Sequence, residues 1–377
     1  MRLDVQRQWG HSACPVLRVT CRYCLYHLLE RRRLPCLDRS GKAHVLQLDT
    51  TTGALTLKHV VANVVNPTFL AIHPSKKFLY SVGEIGNFGG QKAGALNAFA
   101  IGADGNLSLL NQESSGGPGP CHVSIDKTGR NLLAANYSGG SVCVLPIKED
   151  GHLGPATTFI QHKGTGPNAK RQEGPHAHSI NLDASNRYAF AADLGLDKVF
   201  IYEFDPAKGT LAPHGEGTLA PGAGPRHFAF HPNGKYAYVN AEMLSTVTAF
   251  AYENGSLKEI QTESTLPKDF KGNSSTAETQ VSPDGKFLYV SNRGHDSIAI
   301  YSIDASTGKF ACVGHQSTGG KTPRNFGIDP TGTFVLAANQ GSDSVVVFKI
   351  DKEKGTLSET GHTIKVPKPV CVKFVNF

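Results

Sequence analysis

One pattern of paired strands recurs along almost the whole chain and constrains the fold more than any other feature. Half of each period is an alternating strand, a turn, and Gly-x-Leu or its close relative opening a further strand. The copies read AHVLQLDTTTGAL, LNAFAIGADGNL, SVCVLPIKEDGHL, KVFIYEFDPAKGTL, TVTAFAYENGSL, SIAIYSIDASTGKF and SVVVFKIDKEKGTL. Their turn glycines are Gly53, Gly105, Gly151, Gly209, Gly255, Gly308 and Gly355, a mean period of about 50 residues. Glycine supplies the positive φ that such tight connections require.

The other half of the period is a Pro, an alternating strand, a Pro-x-Gly-Lys type turn, and an aromatic strand ending in Asn or Asp. PRHFAFHPNGKYAYVNAE and TAETQVSPDGKFLYVSNR are two of six such copies, and a seventh begins at Pro369 as PVCVKFVNF. Each period therefore holds four short strands, with no helical periodicity of useful length between them. Four-stranded units at this spacing are propeller blades, which predicts an all-β, seven-bladed β-propeller. The shortened seventh copy implies that N- and C-terminal strands share the closing blade, an arrangement that ties a ring shut and removes exposed edges. The second strand of that blade must come from upstream of residue 40, where no clean alternating aromatic strand is found; Cys24–Leu29 is one substitute, a defective blade the alternative.

Composition separates the leader from the body. Residues 1–39 hold eight arginines, no lysine, three acids, the single Trp and four of the eight cysteines, Cys14, Cys21, Cys24 and Cys36. They are expected to be an atypical, poorly ordered N-terminal extension, with residues 40–377 forming the propeller. Most of the formal charge of +7 belongs to that leader. The nearly neutral body has no basic stripe to follow a phosphate backbone, so no nucleic-acid partner is expected. Cys21-x-x-Cys24 could belong to a zinc or redox site, but the other two cysteines are too widely spaced for a ribbon. Arg18 and Arg22 interrupt the apolar run a secretory signal needs, and nothing approaches a membrane-spanning stretch. Cys121, Cys143, Cys312 and Cys371 are dispersed singly, as expected of buried thiols in a reducing, cytoplasmic compartment.

The symmetry of each inner hairpin locates the chemistry. Counting from the turn Pro, the first strand begins six residues earlier and the second ends ten residues later, so both ends should pair and face one mouth of the central channel. The early position holds Thr68, Cys121, His178, Arg226, Ala277, Arg324 and Val370; the late one holds Glu84, Tyr137, Leu194, Glu242, Arg293 and Gln340. Only six arginines follow residue 39, and three of them stand here. Guanidiniums in a concave mouth bind carboxylate or phosphate through a planar fork of donors. A nearby His and Glu can move a proton near neutral pH.

Arg226 and Glu242 could also form a plain cross-strand ion pair. His176 and His178, spaced His-x-His, are compatible with a metal, but no third ligand completes the set, and neither a metal nor another cofactor is expected. His227 and His231 are expected to pack or hydrogen-bond within their blade. No nucleophile elbow, Walker loop or dinucleotide fingerprint is found.

Four long stretches, GTGPNAKRQEGPHAHSINLD at 164–183, GAGPRHFAFHPNGKYAYVNAE at 222–242, VSPDGKFLYVSNRGHDSIAIY at 281–301 and GGKTPRNFGIDPTG at 319–332, resemble the seven-bladed propeller lactonases. That family includes a bacterial class of 6-phosphogluconolactonase and carboxymuconate cycloisomerase. The resemblance runs from about residue 43 onward and implies a metal-free active site of His178, Arg226, Glu242 and Arg293, the positions the channel mouth also selects. Arg324, His176, Glu84, Tyr137 and Gln340 are the candidate substrate-binding residues around them. The implied activity is hydrolysis of a small anionic sugar lactone, with either His178 or Glu242 as base. A lactonase or cycloisomerase acting on another anionic lactone, and a non-catalytic interaction scaffold, are the competing readings.

Overall fold

The computed structural model describes residues 31–38, 42–61 and 64–375. These residues form seven four-stranded antiparallel sheets joined mostly by tight turns, with a 3-10 turn at Gln340–Ser342 as the only helical element described. Six of the sheets are consecutive in sequence, spanning 70–114, 120–161, 177–218, 225–264, 275–317 and 323–365. The remaining sheet is composite, with strand order Pro369–Val372, Arg31–Asp38, Ala43–Asp49, Leu55–Val61.

Burial follows position in the sheet. The second strand of each consecutive sheet is covered on both faces by its neighbours: Tyr188–Asp193, Tyr236–Ala241 and Phe334–Asn339 are buried at every residue. The outermost strands are half solvated, and Leu357–Lys365 is exposed or half-buried beyond its first residue. The apolar core therefore lies between sheets, as where Tyr238 and Val247 of one meet Leu288 and Tyr301 of the next. The composite sheet packs on both sides in the same way: Cys36, Leu46 and Val372 join Phe334 and Val345, while Val45 and Cys371 join Leu70 and Tyr80.

A turn glycine packs against the preceding sheet at Gly53, Gly151, Gly209, Gly255, Gly308 and Gly355. A Cβ on Gly308 would lie 2.3 Å from the Tyr236 ring, one on Gly355 2.3 Å from Phe287, and one on Gly151 2.3 Å from Phe78. These glycines have φ of 70°, 72° and 86°, so both the turn and the ring exclude a side chain. Where a tyrosine occupies the second position of that strand's alternation, its hydroxyl reaches the same turn: Tyr238 donates to the Gly308 carbonyl at 3.1 Å and Tyr289 to that of Gly355 at 2.9 Å. Gly53 of the composite sheet meets Phe334 at 2.9 Å in the same manner.

Two sequence expectations change. Arg31–Asp38 takes the second place in the composite sheet, paired with Ala43–Asp49 on one side and Pro369–Val372 on the other; the propeller thus reaches back into the segment whose composition set it apart, and its edge is not residue 40. Neighbouring edges, each offering unpaired N–H and C=O groups, recruit this strand although it lacks apolar alternation. Cys24–Leu29, Cys14, Cys21 and the Cys21-x-x-Cys24 motif lie outside the described residues. Cys121, Cys143 and Cys371 are free and buried and Cys36 is buried, whereas Cys312, on an outer strand, is exposed. Among the described residues no helix is long and apolar enough to cross a membrane.

Candidate active site

Five first strands carry the residues predicted for the mouth on β-bulges rather than in regular pairing. Ala177 pairs with Asp193 and Ser179 with Ala192, so His178 is left out of the ladder. Cys121 and Arg324 are skipped in the same way, and Arg226 with His227 and Ala277 with Glu278 are skipped as pairs. A bulge re-aims the side chain it frees, and the freed backbone is met locally: Asn240 Oδ1 accepts from His227 N at 2.9 Å and Ser291 Oγ from Glu278 N at 3.0 Å. The early mouth positions are therefore not cross-strand partners of the late ones. Tyr137, Leu194, Glu242 and Gln340 each follow directly after a strand, and their backbone N–H groups bond across the hairpin to Gly119, His176, Gly224 and Thr322.

Glu242 is the hub. Its Oε1 accepts from Arg171 NH2 at 2.7 Å, and its Oε2 from Arg226 Nε and Arg293 NH2, both at 2.9 Å. Burial alone would raise the Glu242 carboxyl, but Arg293, Arg226 and Arg171 together hold it well below the usual carboxylate range. With both oxygens committed to guanidiniums, it is a poor proton acceptor. Arg226 is 2 % exposed; burial, then Arg293 and Arg324, weaken its hold on its proton. Arg293 also donates through NH2 to the Thr276 carbonyl at 2.8 Å.

His178 is 4 % exposed. Burial, with Arg226, His227 and Arg324 nearby, pushes it well below its ordinary pKa, so it is a neutral imidazole at pH 7. Its Nδ1 lies 3.7 Å from Cys121 Sγ. Burial and the nearby Glu84 carboxylate raise the Cys121 thiol, which keeps it protonated. Tyr137 stands between the two histidines of the His-x-His motif, stacked on His176 at 4.7 Å and edge-on to His178 at 5.3 Å. His176 is tied to the Tyr137 carbonyl at 3.0 Å and to Glu173 at 3.3 Å. Among the described residues no three His, Cys, Asp or Glu side chains converge in a metal-binding group.

The structure thus brings His176, His178, Tyr137, Arg226, Glu242 and Arg293 together, with Arg324 acting on Arg226, Arg293 and His178 through its charge. Glu84 is placed near Cys121, and Gln340 sits half-buried at the start of its 3-10 turn without bonding to the Glu242 clamp. Hairpin counting missed Arg171, which also reaches the Tyr137 hydroxyl at 3.2 Å. It lies in the loop before Ala177–Leu182, and its signal was its place among the few arginines of the body. His227 and His231 are expected to pack or hydrogen-bond within their blade, and each does, His227 Nε2 accepting from Arg226 NH1 at 3.2 Å and His231 Nδ1 from Asn233 N at 3.1 Å; each also reaches the next sheet, at Glu278 and at the Gly285 carbonyl.

At the far ends of the same inner strands lies a second concavity of about 420 Å³, walled by Phe228, Phe230, Ile328 and Phe374. Lys373, also in its lining, has its ammonium 4.8 Å from the Phe69 ring centroid.

Comparison with known proteins bears on the fold and the family. The family described as "Lactonase, 7-bladed beta-propeller" matches residues 35–374. The chain is 41% identical over 332 residues to a 6-phosphogluconolactonase of Bacillus subtilis, covering 88% of this chain and 93% of that one. A crystal structure of a putative 6-phosphogluconolactonase from Bacteroides fragilis superposes with a TM-score of 0.85 at 36% identity, covering 92% of this chain and 98% of the other. The periplasmic gluconolactonase of Pseudomonas aeruginosa does so with a TM-score of 0.85 at 32% identity, covering 92% and 99%.

Proposed function

The chain belongs to the seven-bladed β-propeller lactonase family, and from that premise we propose that it hydrolyses 6-phospho-D-glucono-1,5-lactone to 6-phosphogluconate in the channel mouth. We take its seven sheets as the blades of one closed ring, joined through the composite sheet. The observation that carries the proposal is the convergence of Arg171, Arg226 and Arg293 on Glu242, beside a neutral His178 and within the field of Arg324. Four guanidiniums outnumber the nearby carboxylates of Glu242, Glu84 and Glu278, which leaves a positive surplus for an anionic substrate.

In the proposed reaction Arg324 and Arg171 hold the phosphate near the rim. Arg226 and Arg293 meet the lactone carbonyl and stabilise the oxyanion as water attacks it. His178 takes the proton from that water. The imidazolium so formed lies among guanidiniums, which favours its prompt return of the proton to the ring oxygen as the C–O bond breaks. Glu242 orients the arginines, and His176, Tyr137, Glu84 and Gln340 line the mouth. His178 suits the role of base better than Glu242, whose two oxygens are already filled.

The gluconolactonase neighbour supports a second reading, hydrolysis of an unphosphorylated lactone. Comparing phosphorylated and unphosphorylated gluconolactone in one assay, with spontaneous opening subtracted, separates the two. His178→Ala should lower kcat by about 10²-fold or more on the preferred lactone; an unchanged rate would sink the assignment. The free thiols of Cys121, Cys143, Cys312 and Cys371 fit a reducing compartment and support a cytoplasmic site of action.

A further inference from the structure

We propose that Glu278 and His227 are positioning residues for Arg226, fixing which of its N–H groups face the substrate; this rests on the mouth reading above. Arg226 spends Nε on Glu242 Oε2 at 2.9 Å, and NH1 on the Ala277 carbonyl and on His227 Nε2, the latter at 3.2 Å. An arginine nitrogen can only donate. His227 Nε2 must therefore be the bare acceptor nitrogen of the ring, and the ring proton sits on Nδ1.

Nδ1 in turn lies 3.0 Å from Glu278 Oε1. Glu278 is 4 % exposed, and its second oxygen accepts from Asn325 Nδ2. Asn325 cannot turn its amide over, because its Oδ1 accepts from Val372 N at 2.8 Å. Four sheets thus contribute to one chain of hydrogen bonds, Val372 to Asn325 to Glu278 to His227 to Arg226, in which every polarity follows from the backbone N–H at one end. The two N–H bonds of Arg226 NH2 meet no acceptor among the described residues. They are the pair left for the substrate.

Glu278→Gln tests this because it keeps shape and reverses polarity. With its carbonyl toward His227, the introduced amide sets its NH2 against the donor of Asn325. Turned the other way, it sets NH2 against Nδ1, drives the ring proton to Nε2, and aims that N–H at Arg226 NH1. Either way Arg226 shifts, and a displacement of even about 1 Å at a reacting group costs on the order of 10²-fold in rate. On the phosphorylated lactone we expect kcat to fall by at least about tenfold while KM stays within about threefold.

The double variant Glu278→Gln/Asn325→Asp restores the pattern. The introduced carboxylate accepts from Val372 N and from the new amide, whose carbonyl is freed for Nδ1–H. The double variant should recover kcat to within about threefold of the parent protein. A residue that only filled the core would not be rescued in this way. The proposal is overturned by a folded Glu278→Gln protein with parental kcat, or by a folded double variant no faster than the single one. Should the single variant fail to fold, nitrogen-15 spectra of the parent decide: the Nδ1–H tautomer at His227 supports the proposal, and the Nε2–H tautomer refutes it. Arg226→Ala is assayed alongside. Full activity there defeats the reading of the mouth, whereas loss there with none in Glu278→Gln defeats the positioning role alone.

Discussion

Mild acid should destabilise this protein through its buried histidines before its buried carboxylates respond. His122, His178 and His227 are 6 %, 4 % and 5 % exposed, and each is held below its ordinary pKa, first by burial and then by neighbouring cationic groups. For His227 the value falls from 6.5 to about 4, the attraction of Glu278 offsetting only part of the desolvation. Below pH 6.5 the unfolded chain binds protons that the folded chain refuses, so stability falls as pH falls. At pH 5 this amounts to RT ln(1 + 10^1.5), about 2 kcal/mol, from His227 alone. His122 and His178 shift in the same direction for the same leading cause, so that figure is a floor.

The slope between pH 6 and 5 should accordingly exceed one proton, or about 1.4 kcal/mol per pH unit. Glu242 and Glu278 do not intrude on this window. Their folded-state pKa values are depressed, so their contribution is present above the ordinary carboxylate range and is lost only as pH falls below it. Urea unfolding followed by far-ultraviolet circular dichroism at pH 8, 7, 6 and 5 gives the slope directly, and His227→Gln should reduce it by about one proton. A stability that stays flat from pH 8 to 5, or a slope that His227→Gln leaves untouched, would refute the reasoning.

Arg293→Ala should lower kcat on the phosphorylated lactone by about 10²-fold with the fold retained; steady-state kinetics showing a change in KM alone would remove it from the oxyanion. Arg171, whose side chain is 43% exposed, should act mainly on substrate capture: Arg171→Ala raises KM about tenfold with kcat within about threefold, and added salt raises the KM of the parent protein. Gly308→Ala should cost about 1–3 kcal/mol in unfolding free energy, because the new methyl meets the Tyr236 ring at a positive φ. Gly314→Ala, with nothing within 4 Å, should stay within about 0.5 kcal/mol; equal costs would show that the docking contact is unimportant.

The repeat was legible because most docking contacts leave two marks in the sequence, a turn glycine and an aromatic opening the second strand of the preceding sheet; Gly209, which meets Asn131 instead, is an exception. Hairpin counting found His178, Arg226, Glu242, Arg293 and Arg324 because all of them sit at a strand end. Arg171 escaped it because a loop carries no register to count along. Glu278 escaped it for another reason: the count landed on Ala277, and only the bulge places the following residue beside His227. Arg31–Asp38 has no alternation to reveal it; its place comes from the two edges that need a strand between them.

The contact between a turn glycine and the ring of the preceding sheet is head-to-tail, so in isolation it sets no limit on its own repetition. A growing or partly opened chain presents a vacant ring at one end and an unseated turn at the other, each matched to the counterpart on a second molecule. In the closed ring proposed above, Gly53 seated on Phe334 satisfies both within one chain. That contact therefore guards against polymerisation, and loosening it would make swapped oligomers the expected mode of failure.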